Sequence, residues 1–141
     1  MVATTDDTGF LLAKAAQRWN ELLAERFARA GYAEVRPAYG SVLLPLFEAD
    51  GRRIGALTTQ ARVSKQTMTS MISQMERDGL VERRPDPRDG RATIVALTPR
   101  ARAFRPVAER ALADVNALLT RTVSRTALAT TRAVLKEMMS L

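Results

Sequence analysis

Apolar side chains recur along this chain at three- and four-residue steps, the spacing that gathers them on one face of a helix. From Thr8 to Ala30, Phe10, Leu11, Ala15, Trp19, Leu22, Leu23 and Phe27 make such a stripe, wider than one helix on a small domain needs, and Gly31 ends it. Residues 1 to about 7 precede it and are expected to fray. A second helix is expected from about Pro37 to Ala49, with Val42, Leu43, Leu46 and Phe47 inward and a kink at Pro45. A short helix from about Gly55 to Ala61 follows. Another opens at the capping residue Ser64, carries Met68, Met71, Ile72 and Met75 on its inner face, and stops at Asp78-Gly79. The period then changes. Leu80 to Arg84 and Arg91 to Leu97 read as strands joined by a turn over Pro85–Gly90, with Arg52-Arg53 as a short edge strand. Thr98-Pro99 starts a long helix to about Arg121, and Ser124 or Thr126 caps a last one to about Met139. Val107, Ala111, Leu112 and Val115 line the first of these, and Leu128, Val134, Leu135 and Met138 the second. The fold expected is mainly α with a small β-hairpin.

The helix opening at Ser64 has an unusual outer face: Lys65, Gln66, Thr69, Ser70, Ser73 and Gln74, with no negative charge before Glu76. Small or extended donors and acceptors without carboxylates let a helix lie in the DNA major groove. Two helices around a tight turn, followed by a hairpin, make a winged helix-turn-helix. Gln66 and Ser70, one turn apart, are the candidates for base edges, since Gln pairs bidentately with adenine. Lys65, Thr67 and Thr69 suit phosphates, although Thr67 alternatively caps or packs the helix start. Ser64 is a structural cap whose helix N-terminus favours a phosphate. In the hairpin, Arg88 and Arg91 flank Asp89-Gly90. Arg83 and Arg84 alternate across the strand, so one should face the DNA backbone and the other solvent or Asp86. The methionines, at helical spacing, are ordinary core.

Four pieces of this stretch, in order and at their spacing, carry a specific resemblance: SKQT, MERDGLVERR, DPRDGRA and the LT that follows. Together they resemble the core of the MarR family of bacterial transcription regulators. Two positions depart from that pattern. Gly55 stands where a capping Ser or Thr is usual, and Arg62 stands in a turn where glycine is common, at a cost of about 1–2 kcal/mol if it is left-handed. The resemblance implies a winged helix-turn-helix lobe, residues 35–98, inserted in a helical dimerisation domain made by residues 1–34 and 99–141. A winged helix of some sixty residues does not itself need three further apolar helices. It also implies a homodimer acting as a repressor on a pseudo-palindromic operator, with Arg91 in the minor groove and Asp89 accepting from its guanidinium. The bland alternative for that pair is a surface bridge within the turn. Relatives of this kind often release DNA on binding a small aromatic or anionic effector. Trp19, Arg36 and Tyr39 are the candidates for its pocket; a core tryptophan, a helix-end arginine and a core tyrosine are the weightier readings of the same residues.

Composition narrows the rest. There is no cysteine and no histidine, which removes disulfides, thiol redox sensing, thiolate nucleophiles and histidine metal sites. Without a glycine-rich phosphate loop or paired carboxylates, nothing points to an enzyme, a cofactor or a metal. No segment approaches the apolar length of a membrane span, and the acidic, polar N-terminus is not a signal peptide, so a cytoplasmic protein without a membrane partner is expected. The net charge is +7, and residues 52–105 hold 12 of the 22 basic and 5 of the 15 acidic residues. The whole excess therefore lies on the winged segment and the start of the next helix, the footprint of a polyanion partner. The rival reading is a winged-helix protein–protein interaction module without DNA binding, whose associations would lack steep salt dependence for DNA.

Overall fold

Asp7 starts the first helix by accepting from the Gly9 and Phe10 amides at 2.9 and 3.3 Å. The computed structural model describes residues 3–141. Asp7 itself is closed onto the Thr4 carbonyl at 3.1 Å, so the expected fraying does not extend through this turn; residues 1 and 2 lie outside the described residues. The helix, α1 (Thr8–Arg29), ends at Gly31 with φ 90°, a conformation that costs glycine little.

The helix expected over Pro37–Ala49 is two pieces. A 3-10 turn, Pro37–Tyr39, leads into α2 (Gly40–Glu48), which runs through Pro45 with its ring buried. Next come β1 (Arg52–Arg53), α3 (Ile54–Ala61) and α4 (Lys65–Arg77). Gly55 is not the cap of α3: the helix begins one residue earlier and Arg53 holds the cap position without a side-chain bond. Arg62 does take the left-handed turn, at φ 58° and ψ 39°. The strands β2 (Val81–Asp86) and β3 (Asp89–Leu97) reach further into the wing than Pro85–Gly90 suggested, leaving Pro87-Arg88 as the turn. The sheet is antiparallel in the order β1-β3-β2, with Arg52 opposite Val95, Arg83 opposite Val95 on the other side, and a register shift at Pro85/Asp86. Thr98 caps α5 (Pro99–Thr120), and Ser124, not Thr126, caps α6 (Arg125–Met139).

One core joins these elements. Val42, Leu43, Leu46, Leu57, Met68, Ile72, Met75, Leu80 and Val95 fill the lobe, while Leu23 and Phe27 of α1 meet Ala101, Phe104, Ala108, Ala111 and Val115 of α5. The alanines let the two helices approach closely. Phe104 is the knot: its ring lies edge-on to Phe27 at 4.8 Å and tilted against Tyr32 at 5.1 Å. Arg100 locks the corner above it, stacked 4.4 Å from the Tyr32 centroid and bonded to the Gly31 carbonyl and to Glu34. By contrast α6 buries none of its side chains. It is tied by Arg132 to Asn116 at 3.0 Å and by the Arg62 guanidinium on the Met139 carbonyl. Among the described residues, no helix is long and apolar enough to cross a membrane.

Phe104→Ala should lower unfolding free energy by about 3–5 kcal/mol, the range for emptying a buried aromatic site. Urea unfolding at fixed protein concentration reads this directly; a loss below about 1 kcal/mol would place the structural knot elsewhere.

Candidate nucleic-acid interface

The sequence of α4 divides it cleanly. Met68, Ile72 and Met75 are fully buried, and Ser64, Lys65, Gln66, Thr67, Thr69 and Ser70 are exposed. Ser64 accepts from the Thr67 amide at 3.0 Å and gives its own proton to the Thr67 hydroxyl at 2.9 Å. Thr67 thus completes the helix start, the alternative role raised for it. Lys65, Gln66, Thr69 and Ser70 have no side-chain hydrogen bond among the described residues, whereas Ser73 and Gln74 are engaged at the far end of the helix. There Gly79, at φ 75°, closes the helix, with the Leu80 amide returning to the Met75 carbonyl at 2.9 Å.

The wing is built around carboxylates that hold backbone. Asp86, nearly buried, accepts from the Arg88 amide and from Arg53 Nε, each at 2.9 Å. The amide first, and Arg53 second, hold its pKa below the usual carboxylate range. Asp89 does not accept from the Arg91 guanidinium. It accepts from the Arg91 backbone amide at 3.1 Å and lies 3.9 Å from Arg53 Nη2, so it shapes the turn and leaves the Arg91 head free. Arg84 pairs with Glu82, not with Asp86, and Arg83 ties β2 to α4 through Glu76 at 2.7 Å. Arg88 and Arg91 are exposed and form no ion pair among the described residues. The sequence places Arg53 on the short edge strand, as observed, but gives it no role, because nothing local shows that its side chain meets Asp86.

Asp50 anchors the sheet to α5. Partial burial opposes its charge, but the Leu97 amide at 2.9 Å, Arg102 at 3.1 Å and the Gly51 amide outweigh burial and hold its pKa low. The three candidates for an effector pocket are not brought together. Arg36 lines a cleft of about 60 Å³ with Leu23, Phe27, Val35, Leu43 and Phe104, but Trp19 and Tyr39 do not. Trp19 packs half-buried against the core, and Tyr39 is buried with its hydroxyl on Asp78 at 2.7 Å. Burial, then the hydrogen bond and charge of Asp78, push the Tyr39 pKa up to about 12.

This is a winged helix-turn-helix: Lys65, Gln66, Thr69 and Ser70 on the outer face of its second helix, and Arg88 and Arg91 in its wing, have no side-chain partner among the described residues. Residues 37–93 match the family model described as MarR family. BadR of Rhodopseudomonas palustris, a transcriptional activatory protein, is 43% identical over 54 residues, 38% of this chain and 31% of that one. The match thus spans about a third of that relative's length. A probable transcriptional regulator from Pseudomonas aeruginosa has the same fold with a TM-score of 0.81 and 26% identity, over 94% of this chain and 97% of that one. The transcriptional repressor CouR, bound to a 23-mer DNA duplex, also superposes at a TM-score of 0.81, with 24% identity over 99% of each chain. Residues 37–93 thus carry the MarR-family match, and the chain as a whole shares the winged helix-turn-helix fold of solved transcription regulators, a fold that is not that of an enzyme.

The raised Tyr39 pKa has a visible consequence. The folded state keeps a proton that the unfolded chain loses near 10.0, so this contribution to stability is complete below that pH and is lost as pH rises towards about 12. A tyrosinate absorbance titration should show one of the two tyrosines ionising near 12, and Asp78→Asn should lower that value. Two tyrosines titrating together at the ordinary value would contradict the buried hydrogen bond.

Proposed function

We propose that this chain binds double-stranded DNA as a homodimer on a pseudo-palindromic operator, and represses by occupying it. The observation that carries the reading is that Lys65, Gln66, Thr69 and Ser70 on the polar face of α4, and the heads of Arg88 and Arg91, have no partner among the described residues. Donors without internal partners suit an external polyanion. Gln66 and Ser70 suit base edges, Lys65 and Thr69 suit phosphates, and the Ser64–Thr67 cap presents a helix N-terminus to another phosphate. Arg91 suits a narrow minor groove, where negative potential concentrates. Asp89 then serves Arg91 through its backbone, and Arg83 and Arg84 support the wing without touching DNA. Repression needs occupancy alone; BadR's name shows that a relative activates.

Surface area supports the dimer. The chain exposes 9576 Å², whereas a compact monomer of 15.5 kDa exposes about 7,200 Å². The excess lies in the range one partner buries in an obligate dimer. Phe10, Leu11, Val134, Leu135, Met138 and Met139, all exposed, are the natural surface for a second copy. In this arrangement residues 1–34 and 99–141 form a helical dimerisation domain around the lobe at 35–98. A small aromatic or anionic effector would have to widen the Arg36 cleft, since ligand pockets run to about 300–1,000 Å³. Doing so would alter the spacing of the recognition helices and release the operator.

Arg91→Ala should weaken binding to an operator selected from random duplexes by about tenfold or more without lowering the melting temperature. Unchanged affinity would remove the wing from the mechanism. Sedimentation at micromolar concentration should give a dimer; a monomer there would refute the role assigned to the exposed helical faces.

A further inference from the structure

Tyr39 lies outside the helix-turn-helix in sequence, yet its side chain ends on it. The residue is 3% exposed and sits in the 3-10 turn ahead of α2. Its hydroxyl donates to Asp78 Oδ2 at 2.7 Å, across a sequence separation of 39 residues. Asp78 is the C-cap of α4, and its other oxygen accepts from Gln74 Nε2 at 3.1 Å. Gln74 Oε1 accepts in turn from Arg77 at 2.9 Å. The last turn of the recognition helix is therefore joined, donor by donor, to the element that opens the lobe.

The other holds on α4 are less directional. Met68, Ile72 and Met75 are fully buried, but apolar contact has no preferred direction and methionine repacks easily. This packing fixes the depth of the helix better than its tilt. The Glu76–Arg83 pair is about a third exposed on both sides, and water competes for it. A charge-assisted hydrogen bond from a buried phenol is short and oriented. Leverage makes that orientation matter. Gln66 is 12 residues from Asp78, about 18 Å along the axis, so a tilt of about 5° moves its backbone by about 1.5 Å. That displacement exceeds what a hydrogen bond to a base edge tolerates.

We propose that Tyr39 is a positioning residue for sequence recognition: by holding Asp78, its hydroxyl sets the orientation in which Gln66 and Ser70 meet base edges. The inference rests on the DNA-reading role of α4 given above. It separates two quantities that a merely structural residue would move together. Phosphate contacts tolerate a small tilt, and base contacts do not.

The test uses the full-length protein, a duplex selected from a random pool by the unaltered protein, and a scrambled duplex of the same length. Tyr39→Phe should lower the ratio of the two affinities about tenfold, the cost of one mismatched base pair, by loss on the selected duplex alone. Circular dichroism and binding to the scrambled duplex should not change. Asp78→Ala, which breaks the same bond from its more accessible end, should reproduce the loss and serves if Tyr39→Phe fails to fold. Asp78→Asn keeps an oxygen acceptor for the phenol and should retain most of the ratio. An unchanged ratio in Tyr39→Phe and Asp78→Ala would overturn the proposal, as would equal losses on both duplexes. If the unaltered protein binds neither duplex, the DNA-binding reading itself fails, a result distinct from either.

Discussion

Three buried side chains, Met68, Ile72 and Met75, fix one helix in the lobe and leave its outer face polar, with Lys65, Gln66, Thr69 and Ser70 making no side-chain hydrogen bond among the described residues. Everything else in the structure answers to that division. A helix with one apolar stripe is held by packing alone, so each further restraint must come from its ends. Ser64 and Thr67 satisfy the start, and Asp78 and Gly79 close the finish. The core around α2, α3 and the sheet supplies the floor. The outer face is left with hydrogen-bonding capacity that the fold does not use, and a partner rich in acceptors can use it.

The arginines divide in the same way. Arg53, Arg83, Arg100 and Arg102 are committed to carboxylates and carbonyls that hold the wing, the recognition helix and the corner between α1 and α5 together. Such half-exposed pairs contribute little individually. Their value here is geometric, because Asp86 and Asp89 spend their oxygens on Arg53 and on turn amides and so leave Arg88 and Arg91 uncommitted. The surplus of positive charge that the sequence concentrates in residues 52–105 is in part structural mortar; among the described residues, Arg88 and Arg91 at the wing tip and Lys65 on α4 have no side-chain partner.

Much of this was legible in the sequence because its signals are local. Periodicity located six helices, the caps at Ser64 and Thr98 placed two helix starts, and the polar run after Ser64 marked the outer face of α4. Turn composition misled at the wing: Pro85 continues the strand because its missing N–H is not needed at that edge position, so the hairpin is tighter than proline and glycine implied. The start of α3 was misplaced because Arg53 occupies the cap without using its side chain. Long-range pairings escaped altogether. Nothing near Asp86 names Arg53 and nothing near Tyr39 names Asp78: Tyr39 is the core tyrosine that was the weightier reading, but its hydrogen bond to the end of α4 was not foreseen. Side chains that meet across dozens of residues leave no trace in spacing.

In the proposed function, α4 and the wing read duplex DNA through a phosphate-led contact. The most direct test of that contact is the association constant for duplex DNA measured across a series of salt concentrations. A paired winged helix should give a straight log–log line with a slope of about −5 or steeper, as released counterions require. No binding in dilute buffer, or an affinity indifferent to salt, would contradict the account.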